Sequence, residues 1–152
     1  MLTRRRFVAG AAGLLLAGTR NTWAVGAAPT PMTVYKSRSC GCCAKWVEHV
    51  RAEGFDPRVH DNEAMDQLKN ELGVPQPVRS CHTALVAGYL IEGHVPASDI
   101  RELLKQRPKA AGLAVPGMPG GTPGMAEPGA PIEGFDVLVF QPNGSTGVFA
   151  HH

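Results

Sequence analysis

The sequence predicts an α/β fold, and three observations carry that prediction. Alternating runs and helical stripes take turns along the chain, glycine or proline closes most of them, and three cysteines stand at the first strand-to-helix junction. Met32-Thr-Val-Tyr-Lys36 alternates as a first strand. Beyond Cys43 the spacing of Trp46, Val47 and Val50 predicts a helix that Gly54 closes. Phe55–His60 reads as a second strand, with Pro57 suited to an edge or a bent entry. Asp61-Asn62 can cap a second helix over Glu63–Leu72, with Met65, Leu68 and Leu72 along one side and Gly73 at its end. Pro75 and Pro77 exclude regular structure from Val74 to Ser80, because each removes a donor and fixes φ. Thr83–Ala87 and Leu90–Gly93 then read as a β-hairpin about a tight turn at Gly88-Tyr89. Pro96 or Ser98 opens a third helix, with Ile100, Leu103 and Leu104 as its apolar face, and Pro108 stops it.

Composition changes at Gly112. From there to Pro131, 11 of 20 residues are glycine or proline, and Pro-Gly-Met occurs twice, ending at Met118 and Met125. Such a stretch is expected to be a loop from which no core is built. Phe135–Phe140 and Thr146–Ala150, joined through Pro142-Asn-Gly144, read as a closing hairpin. Strand, helix, strand, helix, hairpin, helix is the order of a thioredoxin-like α/β sandwich, here with a Gly/Pro/Met-rich insertion and a C-terminal β-hairpin. In that architecture the proline-bearing loop faces the start of the first helix, so Cys81 completes a four-thiol cluster from across the sequence.

The first residues belong to a different category. Thr3-Arg-Arg-Arg-Phe-Val8 is a positive segment, Ala9–Gly18 is mildly apolar, and Asn21-Thr-Trp-Ala24 ends on a small residue, the plan of an export signal. Paired arginines followed by Phe7 resemble the twin-arginine type. The apolar part is about half the ~20 residues that a membrane span needs, so no retained span is expected. The expected division is residues 1–24 as signal, 25–31 as leader and 32–152 as the domain, with the 112–131 loop inside it and a periplasmic location. The whole chain carries 15 basic and 13 acidic side chains; residues 1–24 hold four arginines and no acid, which leaves 11 against 13. A domain so close to neutral, without a basic cluster or interleaved aromatics, gives no footprint for nucleic acid.

Cys40-Gly41-Cys42-Cys43 is the most informative stretch. At a helix N-terminus the free N–H groups and the dipole favour thiolate, the form that binds soft metals and attacks disulfides. Cys40 and Cys43 have the spacing of thiol-disulfide oxidoreductases, and Cys42 is the departure, since a third thiol offers competing partners. A structural disulfide between one of the three and Cys81 would add about 4 kcal/mol by the chain-entropy estimate but leaves two thiols unexplained. Among metals, four thiolates suit tetrahedral Zn(II) or polynuclear Cu(I). Zinc sites usually use two well-spaced Cys-x-x-Cys pairs, whereas bridged Cu(I) tolerates crowding because each sulfur serves two ions.

These residues resemble the CopG-like copper-resistance family of small exported thioredoxin-like domains with Cys-x-Cys-Cys and one distant cysteine. The resemblance runs from Met32 to about Ala150 and rests most specifically on Ser39-Cys-Gly-Cys-Cys-Ala-Lys-Trp46, Ser80-Cys-His-Thr-Ala84, Gly112-Leu-Ala-Val-Pro-Gly-Met-Pro119 and Pro123-Gly-Met125. The acid that often follows the second methionine in the family stands one place later here, at Glu127. The resemblance implies that Cys40, Cys42, Cys43 and Cys81 ligate copper, expected as Cu(I) with more than one ion per chain and Zn(II) as the alternative. It implies a role in copper homeostasis or resistance with Cu(II)/Cu(I) redox chemistry as an option, and other envelope copper-handling proteins as partners. A thiol-disulfide oxidoreductase using Cys40 and Cys43 is the competing class.

The thioethers of Met118 and Met125 are further candidate ligands, since they bind Cu(I) without deprotonation. His82 is expected to point away from Cys81 as a strand neighbour, toward a supporting contact or the surface. His49 is expected to be an exposed helix residue about two turns from Cys42, and Trp46 a core residue. Nothing in their positions marks His60 or His94, and His151-His152 offers at most a weak second site.

Overall fold

The computed structural model, which describes residues 28–127, 129 and 133–152, is organised on one mixed seven-stranded sheet. β1 (Thr30–Lys36) leads into α1 (Gly41–Ala52), β2 (Phe55–Asp61) and α2 (Met65–Glu71). A 3-10 turn at Gln76–Val78 precedes β3 (Thr83–Val86) and β4 (Tyr89–Glu92), and α3 (Ala97–Gln106), β5 (Gly112–Ala114), β6 (Asp136–Phe140) and β7 (Thr146–His151) follow. The strand order is β2-β1-β3-β4-β5-β6-β7. Among the described residues only β1–β2 and β4–β5 are parallel, and those are the pairs joined through α1 and α3, as parallel neighbours require a crossover. This is the thioredoxin-like α/β sandwich, with the C-terminal hairpin added to the same sheet.

Side-chain alternation divides the core between the two sheet faces. Trp46, Val47 and Val50 of α1 and Ala97, Ile100 and Leu103 of α3 pack with Val34, Ile91, Leu113 and Val137 on one face. Val74, Val78, Ala114 and Phe140 pack on the other, with Leu72 and Leu90 partly buried against them. The residues that mark the sequence-predicted stripes of the first and third helices bury, except Leu104, which is partly buried against the core.

The structure differs from the sequence-based expectation at four places. α2 starts at Met65 rather than Glu63, with Ala64 at its N-cap position and Asp61 taken into β2, and Asn62 Oδ1 instead accepts from the Ala64 amide (2.8 Å). β1 begins at Thr30, inside the segment expected to be leader. Gly112–Ala114, expected to open a coreless loop, is a fully buried strand between β4 and β6. Its glycine is required by close approach, since a Cβ at Gly112 would stand 1.7 Å from the Leu90 carbonyl oxygen. A three-residue strand has no period to read, and the glycines and prolines beyond it dominate any window that contains it. The β3–β4 turn is Ala87-Gly88, both with positive φ (47° and 87°), one residue earlier than expected. Two positive-φ residues match the twist of a two-residue hairpin, and Gly88 takes the second place with no Cβ penalty.

The second helix contributes an unexpected group. Its apolar stripe is only half-buried, while Lys69 is 2% exposed and forms an ion pair with Glu92, which is 0% exposed. The Lys69 ammonium also donates to the Thr83 hydroxyl (2.9 Å), and that hydroxyl donates to Glu92 Oε2 (2.7 Å). Burial pushes the Glu92 carboxyl up from its ordinary range, opposed by Lys69, the Ser80 amide and Thr83. Removing one member of such a pair strands the other charge. Lys69→Met is therefore expected to lower the unfolding free energy by about 3–5 kcal/mol in urea titrations. Adding Glu92→Gln to that variant should recover more than half of the loss; a simply additive loss would show that the two groups are not coupled.

Candidate metal centre

Cys40 precedes the first residue of α1 with extended backbone, and its carbonyl accepts from the Ala44 amide (3.2 Å). Cys42 and Cys43 lie in the first turn, where neither a capping side chain nor an acidic residue competes for the free amides. The helix end therefore directs its positive potential at the sulfurs. Cys40 and Cys43 are joined as a disulfide with Cα atoms 5.4 Å apart, and Cys42 and Cys81 are free thiols. The Cys40 and Cys42 sulfurs are 3.5 Å apart. Cys43 is buried and the other three are half-buried.

Cys81 arrives from the opposite direction. The Ser80 amide donates to Glu92 Oε1 (2.7 Å), and the Gly93 amide donates to the His82 carbonyl (3.0 Å), so the hairpin ladder continues beyond Thr83 and Glu92. The result brings the four sulfurs of Cys40, Cys42, Cys43 and Cys81 within 4.8 Å of one another. Burial first, then the neighbouring Cys42, pushes the Cys81 thiol up to about 11, so this sulfur carries its proton at neutral pH.

Two histidines join this sulfur. His94 Nε2 is 3.1 Å from Cys81 Sγ and His82 Nδ1 is 3.3 Å from it. Both rings are fully buried, and burial is the main cause that lowers both pKa values, that of His82 well below the ordinary range. His94 Nδ1 donates to the Pro123 carbonyl (2.7 Å). The His82 ring lies 4.3 Å from that of Trp46, whose Nε1 donates to the Val95 carbonyl (2.9 Å), and His82 Nε2 has no hydrogen-bond partner among the described residues.

The glycine- and proline-rich loop closes over the same region. The Ser80 hydroxyl donates to the Gly117 carbonyl (2.7 Å). At Gly124 (φ 87°) a Cβ would stand 2.8 Å from the Cys42 carbonyl oxygen and 2.9 Å from the Trp46 nitrogen, so the chain can seat on α1 only as glycine. Met118 and Met125 each follow one of these contact glycines; Met118 is exposed and Met125 half-buried.

One expectation for the histidines holds in part and one is corrected. Of the two places expected for His82 it takes that of a supporting contact, buried, although its ring turns toward Cys81 rather than away from it. His49 is not exposed: half-buried, its Nε2 accepts from the Ala97 amide (3.1 Å) and so caps the start of α3. His60 stacks on Tyr35 (5.5 Å). His151 and His152 are each engaged with a separate carboxylate, Asp136 (2.6 Å) and Asp99 (2.8 Å). His94 had no signal in the expected register, because placing the turn one residue late hides that Cys81 falls opposite it. With the turn at Ala87-Gly88, two steps beyond the Thr83–Glu92 pair give Cys81 and His94.

Chemically, the four sulfurs form a soft donor set that suits copper once Cys40 and Cys43 are reduced, and in the disulfide state the same pair is a two-electron acceptor. Among the described residues no helix is long and apolar enough to cross a membrane.

A family described as protein of unknown function, DUF411, matches residues 78–125, the segment that holds Cys81, His82, His94 and the first part of the loop. No curated protein matches the chain. Two solved structures named copper resistance protein CopG, form 1 and form 2, are each 40% identical to it. Each comparison covers 82% of this chain and 98% of the other, with TM-scores of 0.75 and 0.76. With that identity over most of both chains, and the cysteine cluster in place, the chain belongs to the CopG family of copper resistance proteins.

Proposed function

We propose that this is an exported copper-binding protein of copper homeostasis and resistance that holds more than one Cu(I) ion between the thiolates of Cys40, Cys42, Cys43 and Cys81. The observation that carries the reading is the convergence of those four sulfurs, from one helical turn and from a distant loop, within 4.8 Å. The name of the similar solved structures, copper resistance protein, supports the choice of copper. Four thiolates around one Cu(I) leave excess negative charge, whereas several ions sharing the sulfurs neutralise it and keep low coordination numbers. Zn(II), which accepts a four-cysteine tetrahedron, is the alternative metal. Met118 and Met125 are further candidate ligands in the covering loop.

Redox activity follows from the Cys40–Cys43 bond as part of the same proposal. Two thiolates joining into the disulfide give up two electrons, one to each of two Cu(II) ions, which become Cu(I); the reverse reaction reopens the bond. The same bond at a helix N-terminus favours one competing reading, a thiol-disulfide oxidoreductase. Residues 1–24, which lie outside the described residues, are proposed as the signal that delivers the domain to the periplasm, where other envelope copper-handling proteins would supply or receive the metal.

An anaerobic Cu(I) titration of the reduced protein against a chromogenic chelator, run beside Zn(II), is expected to give more than one tight Cu(I) per chain. Cys42→Ser and Cys81→Ser should each lower that number, and tight copper should weaken as pH falls, because protons then hold Cys81 and the other thiols. A single Zn(II) that Cu(I) cannot displace would overturn the copper reading. Met118→Leu with Met125→Leu, titrated alongside, weakens binding if the thioethers take part. Insulin reduction separates the classes: an exchanger needs Cys40 and Cys43 and should tolerate Cys81→Ser, whereas the copper protein should show little turnover in either form. Cell fractionation should find a shortened chain beginning near Val25 in the envelope; the intact chain in the cytoplasm would remove the export proposal.

A further inference from the structure

We propose that His94 ligates copper through Nε2, making with Cys81 a mixed sulfur–nitrogen position at the edge of the thiolate cluster. The inference rests on the copper reading above and extends it to a residue outside the four cysteines. It follows from an account of protons. The Pro123 carbonyl can only accept, so the His94 proton sits on Nδ1, and the lone pair of Nε2 faces Cys81 Sγ at 3.1 Å. The Cys81 thiol has one proton to give, and that bare nitrogen is its acceptor. His82 Nδ1, 3.3 Å from the same sulfur, must then approach it as an N–H donor, which leaves His82 Nε2 without a partner among the described residues. The two rings therefore have different roles: His82 supports the sulfur as it becomes thiolate, and His94 offers a lone pair.

Replacing the shared thiol proton by a metal ion leaves every other hydrogen bond in place. A histidine that donates its other ring nitrogen to a backbone carbonyl is the usual arrangement around a bound metal, because it fixes both tautomer and ring orientation. Cys81, His82 and His94 place their donor atoms within 4.8 Å, so the position is contiguous with the four-sulfur group through Cys81. Imidazole suits copper in either oxidation state, whereas thiolates favour Cu(I), so this edge is the least selective part of the cluster. Because Pro123 belongs to the covering loop, seating of the loop orients the ligand.

Copper K-edge absorption on the purified, anaerobically copper-loaded chain detects imidazole directly through its outer-shell scattering. The wild type should show it, and so should His82→Gln and the double variant His151→Ala, His152→Ala. His94→Gln should lose it and bind its weakest copper about tenfold or more less tightly, while charge-transfer absorption from thiolate to copper persists. Copper bound by the wild type without imidazole would overturn the His94 assignment and leave the cluster reading intact. Imidazole that persists in His94→Gln, or disappears in His82→Gln or in the C-terminal double variant, would also overturn it. Failure of the wild type to bind copper at all would remove both readings.

Discussion

The geometry of the sulfur cluster depends on how the backbone at Ser80 is held. Three of the four cysteines lie within one turn of a helix and need nothing from the rest of the chain to be neighbours, whereas Cys81 has to be brought to them. Its position is set by the Ser80 amide donating to the buried Glu92 carboxylate, which Lys69 and Thr83 hold in turn. A buried ion pair is a poor means of stabilising a fold, because desolvation offsets most of its attraction. It is a good means of fixing one arrangement, since every alternative leaves a charge unpaired in the interior. Here the pair joins α2, β3 and β4 at the point where the chain turns toward the sulfur cluster.

Around that fixed point the protein assembles donors of graded softness. The free amides of α1 favour thiolate at the Cys-x-Cys-Cys turn, while burial holds the Cys81 proton in place until a metal or a base takes it. Trp46, His82 and Val95 are buried on the inner side of the group, the Trp46 ring against that of His82 and its Nε1 on the Val95 carbonyl. Low dielectric strengthens both the hydrogen bonds and the metal–ligand attractions inside, and it penalises any ligand left without a partner.

The glycine- and proline-rich loop is the other constraint. Its prolines limit the conformations it loses on closing, and its glycines allow backbone to approach backbone at Gly124 where no side chain fits. The loop reaches the centre mainly through carbonyls, at Gly117 and Pro123, rather than through an apolar face. It therefore seats against α1 and orients His94 without needing a hydrophobic pattern.

The alternation of strands and helices, the thioredoxin-like order and the place of Cys-x-Cys-Cys at a helix start are legible in the sequence, because local periodicity, glycine and proline stops and thiol chemistry all act over a few residues. Cys81 joins that cluster at the level of sequence only through the likeness of the element order to a thioredoxin-like sandwich, not through any local signal. The tertiary structure decided what depends on register and burial. A turn shifted by one residue, from Gly88-Tyr89 to Ala87-Gly88, changes every cross-strand partner, and only the paired strands reveal that His94 lies opposite Cys81. The burial of Lys69 has no local signal because nothing near it names Glu92 as its partner, and Gly112–Ala114 reads as loop because three residues carry no period. Those assignments arise from contacts between segments far apart in the chain, which no pattern within either segment encodes.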